Sequence, residues 1–82
     1  MEAIIYTTPT CKYCKPSKAY LTRKGIPYTE KDASDPEVAK EAFSLSQALT
    51  VPVILLKNGR KRRVLVGYDL GRYNKAVSEL ES

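Results

Sequence analysis

Two cysteines three residues apart, Cys11 and Cys14, are the only thiols in a chain of 82 residues that contains no histidine. A pair at this spacing can close a structural disulfide, hold part of a metal site, or exchange disulfides. The first option is weak, because bridging so short a loop restrains little unfolded-chain entropy. The second needs four ligands, and with no further cysteine or histidine a closed zinc site would draw on carboxylates or a second molecule. Thiol–disulfide exchange needs only the two sulfurs. If the pair opens a helix after a strand, the first sulfur lies beside unpaired backbone N–H groups whose dipoles favour the thiolate. Lys12 and Lys15 add positive charge. Cys11 is then the expected nucleophile. Cys14, one turn on and more buried, is expected to resolve the mixed disulfide.

The elements around the pair must place it so. Residues 3–7, apolar and β-branched, suit a buried strand, and Thr8-Pro9-Thr10 breaks it. A helix is expected from about Cys11 to Lys24, stopped by Gly25 and Pro27. Pro16 complicates this helix: it is harmless in a first turn and costly further in, so the helix either starts late or bends. Residues 26–31 read as a short second strand. Ser34-Asp35-Pro36-Glu37 carries a capping-box pattern, with Ser34 as cap, ahead of a helix showing Val38, Ala39, Ala42 and Phe43 on one face. Val53–Leu56 is a continuous apolar run that fits a central strand covered on both faces. Asn58-Gly59 favours a tight turn into a strand at about 62–66. Asp69 can cap a last helix presenting Tyr73, Ala76, Val77 and Leu80. The order β-α-β-α-β-β-α predicts an α/β fold, a four-stranded mixed sheet with three helices on its faces.

Length and composition bound the rest. Residues 1–82 are expected to form a single domain. With 43 % apolar and 28 % charged residues the composition is that of a globular protein. No run approaches the ~18 apolar residues of a membrane span. Met1–Tyr6 has no basic n-region, so it reads as a strand rather than a secretion signal, and a reducing cytoplasm is the expected compartment. The net charge of +5 is mostly dispersed. Its one run, Arg60–Arg63, reads as solvated charge around a turn or as a docking patch for an acidic partner; no nucleic-acid module accompanies it. Tyr6, Tyr20, Phe43 and Tyr73 fall where core faces are expected. Tyr13 and Tyr68 are expected to flank the dithiol and face a partner.

Three motifs in order, Thr8-Pro9-Thr10-Cys11-Lys12-Tyr13-Cys14, Thr50-Val51-Pro52 and Gly67-Tyr68-Asp69, resemble the glutaredoxins of the thioredoxin-fold superfamily across nearly the whole chain. The resemblance implies a thioredoxin-like fold and dithiol exchange through Cys11 and Cys14 without a bound cofactor. It also implies that Lys12, Tyr13, Val51, Pro52, Gly67, Tyr68 and Asp69 meet substrate or glutathione. Pro52 would be a cis proline, leaving the Val51 N–H and C=O free to pair with an extended peptide or glutathione. Gly67-Tyr68-Asp69 would receive a carboxylate at a helix N-terminus. Lys12 stands where glutaredoxins carry proline. A single Gly67 before bulky Tyr68 is more similar to NrdH-type redoxins, which take electrons from thioredoxin reductase and reduce ribonucleotide reductase. Either glutathione or thioredoxin reductase is thus the expected donor, and ribonucleotide reductase one candidate substrate. A monomer without metal is expected. A redox-sensing module, switched by the disulfide and docking through Arg60–Arg63, is the reading from a different class.

Overall fold

The computed structural model describes residues 1–81; Ser82, the end of the expected domain, lies outside the described residues. Four strands and three helices alternate as β1 (Glu2–Thr7), α1 (Cys14–Arg23), β2 (Tyr28–Asp32), α2 (Pro36–Ser46), β3 (Val53–Asn58), β4 (Lys61–Val66) and α3 (Leu70–Glu81). The strands form one mixed sheet in the order β2-β1-β3-β4. β1 runs parallel to β2, with Ile5 beside Glu30, and antiparallel to β3, with Ile5 beside Ile54; β4 completes the sheet antiparallel to β3. This is the architecture that the element order predicted.

Alternation along the strands divides the interior in two. Ala3 and Ile5 of β1, Ile54 and Leu56 of β3, and Leu65 of β4 face α1 and α3, where they pack with Tyr20, Leu21, Tyr73, Ala76, Val77 and Leu80. The opposite face is thinner. There Tyr6, Val53 and Ala42 are buried, with half-buried Ile4, Val38, Leu45 and Val64 around them.

Local chemistry sets the ends of the elements. After α1, Gly25 takes φ +68°; its N–H donates to the Thr22 carbonyl, and the Ile26 N–H to the Leu21 carbonyl. That is a Schellman closure, and Ile26 and Leu21 share the core beneath it. Gly59, at φ +65°, leads the two-residue loop between Asn58 and Lys61, the place where a tight hairpin calls for glycine.

Two expectations are corrected on α2. Its cap is Asp35, whose carboxylate accepts from the Glu37 N–H; Ser34 is instead held by Asp32. Asp35 directly precedes Pro36, which thereby takes the first helical position. Ala39 and Phe43 do not join the buried face; they are exposed, Phe43 by 42 %. The helix covers the sheet through Val38, Ala42 and Leu45 instead.

Candidate active site around the dithiol

The dithiol lies between the C-terminal end of β1 and the start of α1. The Cys11 N–H donates to the Thr8 carbonyl at 3.1 Å, closing the turn that the break at Thr8–Thr10 foreshadowed. Cys11 and Cys14 are joined as a disulfide, with Cα atoms 5.5 Å apart. Cys11 is half-buried, whereas Cys14 is only 4 % exposed. The predicted asymmetry between the sulfurs is present.

The helix begins later than expected, at Cys14, with Tyr13 as N-cap. A start at Cys11 would have set Pro16 deep in the second turn, deleting a backbone bond and crowding a carbonyl. Starting at Cys14 makes Pro16 the third residue, where no intrahelical N–H bond is required. Cys14 therefore occupies the first turn, and Cys11 reaches the helix end through its bond to Cys14.

Pro52 lies at the entrance to β3 and follows a cis peptide bond from Val51. Its carbonyl accepts the Gly67 N–H at 2.8 Å, tying the cis-proline loop to the turn before α3. Among the described residues no hydrogen bond engages the Val51 N–H or C=O. Gly67 adopts φ +77°, a conformation that other residues rarely take. Asp69 caps α3 by accepting the Arg72 N–H at 3.1 Å. Tyr68 is partly exposed and meets the Tyr73 ring edge-on at 5.6 Å. Lys12 and Tyr13 are both exposed, Tyr13 by 54 %. The three motifs, far apart in sequence, converge on one end of the sheet.

A hub unforeseen from the sequence joins two of them, the dithiol motif and the Gly67 turn. The Tyr73 hydroxyl donates to the Gly67 carbonyl and lies 2.9 Å from the Ser17 hydroxyl, which itself donates to the Tyr13 carbonyl at 2.8 Å. Two hydroxyl hydrogens serve three oxygen contacts, so two are satisfied at a time. The hub couples α3, the Gly67 turn and the first turn of α1 behind Cys14. Burial raises the Tyr73 phenol above its ordinary value, so it remains a donor at neutral pH. Only the buried stripe of α3 signalled Tyr73, and it read as core.

Two hollows flank the dithiol. On the α1 side a cleft of about 660 Å³ is lined by both cysteines with Thr7, Lys15, Lys18, Glu30 and Asp32 among others. Glu30 accepts from the Thr7 hydroxyl at 2.7 Å and pairs with Lys18 at 3.2 Å. The Thr7 hydroxyl first, then Lys18, hold its carboxyl below the usual carboxylate value. On the α2 side a smaller hollow of about 130 Å³ is walled by Thr8, Ala42, Phe43, Leu49 and Val51 among others. The basic run is elsewhere. Arg60 and Lys61 lie at the β3–β4 turn, at the opposite end of the sheet from the dithiol. Among the described residues no cluster suited to a metal ion occurs, and no helix is long and apolar enough to cross a membrane.

Comparison with known proteins agrees with this arrangement. The family model described as "Glutaredoxin" matches residues 3–60. A glutaredoxin-like 8.6 kDa protein of the rubredoxin operon of Clostridium pasteurianum is 34 % identical over 76 residues, spanning 92 % of this chain and 96 % of that one. The solution structure of a glutaredoxin from Brucella melitensis is 38 % identical, covers 98 % of this chain and 88 % of its own, and superposes with a TM-score of 0.68. A glutaredoxin structure from Archaeoglobus fulgidus, 22 % identical with a TM-score of 0.77 over 93 % of this chain and 85 % of that one, is similar in fold. With its cysteine pair, its fold and these relatives, the chain belongs to the glutaredoxin family and is a thiol–disulfide oxidoreductase.

Proposed function

We propose that the chain reduces protein or glutathione mixed disulfides, with Cys11 as nucleophile, Cys14 as resolving thiol and glutathione as electron donor. The observation that carries the roles is the difference in burial: Cys11 is half-buried at the mouth of the cleft, and Cys14 is 4 % exposed. In the reduced protein the Cys11 thiolate attacks one substrate sulfur, forms a mixed disulfide and expels the other sulfur as a thiolate that takes up a proton. The Cys14 thiolate then attacks Cys11 and releases the second substrate thiol. Two electrons have passed to the substrate, and the internal disulfide is left. The two N–H groups opening α1, and Lys12 and Lys15 beside them in the chain, favour the thiolate form.

The reading for glutathione rests on family membership and on Val51, whose unpaired N–H and C=O suit the backbone of an extended tripeptide. Pro52 shapes that edge, and Gly67, Tyr68 and Asp69 would meet the far carboxylate beside the α3 N-terminus. Lys12 and Tyr13 form the outer lip. One observation favours thioredoxin reductase as donor instead: Tyr68 leans on Tyr73 directly after the single Gly67, filling space over that helix end. In this second reading ribonucleotide reductase is a substrate to test, and a cytoplasmic setting suits both.

Following NADPH loss with oxidised protein and either glutathione plus glutathione reductase or thioredoxin reductase separates the donors. We expect turnover with glutathione; turnover only with thioredoxin reductase would establish the second reading. Cys11→Ser is expected to abolish activity. Cys14→Ser should retain reduction of small glutathione mixed disulfides, since external glutathione can replace the resolving thiol. Equal loss in both variants would overturn the assigned roles.

A further inference from the structure

The hollow on the α2 side adjoins the redox site. Thr8 lines both this hollow and the dithiol cleft, and Val51, the residue before the cis proline, forms part of its wall. Its remaining surface is small or apolar. Ala42 is buried at its base, while the rim carries Phe43, 42 % exposed, and Leu49, 92 % exposed. Phe43 and Leu49 stand together on this rim rather than scattered singly, and grouped exposed apolar surface of this kind marks an interaction site. The volume also limits the occupant. An apolar cavity of about 150 Å³ holds a benzene ring, so about 130 Å³ suits one side chain of leucine or phenylalanine size.

We propose that this hollow is a specificity pocket for one large apolar side chain of a protein substrate, presented by an extended segment that carries the target cysteine. The inference rests on the dithiol-exchange reading and deepens it by naming a substrate class. A segment pairing with the Val51 N–H and C=O projects its side chains alternately to either side. One side leads to the dithiol cleft and the other to the apolar hollow. Glutathione has no apolar side chain to fill it. Protein disulfides with a nearby leucine, isoleucine or phenylalanine therefore gain contact that the tripeptide does not.

The test uses single-turnover reduction by the pre-reduced protein. The probes are decapeptides with one cysteine held as its mixed disulfide with 2-mercaptoethanol. Leucine is scanned through the three positions on each side of the cysteine, against glycine at the same place. We expect one position at which leucine raises the second-order rate about tenfold, the scale on which an apolar pocket discriminates. That leucine-to-glycine ratio should fall towards one in Phe43→Ser/Leu49→Ser, which opens the wall, and in Ala39→Leu, which crowds the hollow from an exposed helix position. All three sites are exposed, and thermal unfolding midpoints close to the parent's verify the fold.

A flat leucine scan, or a preference that survives in both variants, would overturn the proposal. So would sedimentation showing self-association that the same variants abolish, because the pocket would then belong to a second copy. Failure to reduce bis(2-hydroxyethyl) disulfide would count against dithiol exchange itself. The pocket is then decided by equilibrium binding of the same peptides with serine replacing cysteine, where the leucine preference must persist.

Discussion

The two faces of the sheet are built differently. Behind it, α1 and α3 enclose a continuous core in which Tyr20, Leu21, Tyr73 and Leu80 are almost fully buried against Ile5, Ile54 and Leu56. In front, α2 contributes one buried residue, Ala42, and half-buried Val38 and Leu45. Polar contacts take over there: the Tyr6 hydroxyl donates to Glu41 at 2.8 Å, and Lys31 pairs with Glu41 at 3.0 Å. The dithiol straddles the division. Its helix is anchored in the thick face, while the cis-proline loop and the exposed Phe43 and Leu49 open onto the thin one. One face holds the reactive sulfurs in place, and the other leaves apolar surface exposed.

If that contrast is right, equal truncations should have unequal costs. Leu21→Ala, at a site 1 % exposed, should lower stability by about 3 kcal/mol through lost burial and a cavity. Leu45→Ala, on a half-buried position of α2, should cost about 1 kcal/mol. Urea midpoints at pH 7 measure both. Similar losses would mean that α2 bears as much of the fold as α1, and the contrast would be broken.

Hydroxyl removal sharpens it further. Tyr73→Phe keeps the ring against Tyr20, 5.2 Å away, but strips the Gly67 carbonyl and Ser17 of their shared partner. We expect a loss of about 1–2 kcal/mol. Tyr6→Phe leaves Glu41 still paired with Lys31 and should cost less than about 1 kcal/mol. The order of the two midpoints is the check.

Much of the thick face was legible because periodicity reports burial. The spacing of Tyr73, Ala76, Val77 and Leu80 named the inner stripe of α3, and Val53–Leu56 named the central strand. The dithiol and the turn glycines were legible as local chemistry. What escaped depends on distant elements. The hub of Tyr73, Ser17 and Tyr13 requires two helices to meet, and Glu30 reaches Thr7 only through the β1–β2 register. Spacing and burial part company on α2, where Phe43 has the spacing of a core residue but is 42 % exposed on the rim of the hollow. The end of α2 left no signal either, because Gln47 takes φ 58° in a place usually marked by glycine.

The smallest expected effect concerns pH, and it compares one carboxylate from each face. Glu30 is held below the ordinary value of 4.5 by the Thr7 hydroxyl and then Lys18; Glu41 is held below the same value by Lys31 and then the Tyr6 hydroxyl. A carboxyl whose folded value is depressed binds fewer protons folded than unfolded. Its contribution is therefore fully present above 4.5 and fades as pH falls below that value through the folded one. Glu30→Gln and Glu41→Gln should each be less stable than the parent at pH 7 and converge on it under acid conditions. Urea midpoints between pH 7 and 3 would show the gap closing. A gap that stays constant would mean that these carboxylates act through shape alone. A gap for Glu30 only would place the acid-sensitive contact beside the dithiol, making the polar frame of the cleft, rather than the polar cover of α2, the part of the fold that acid loosens first.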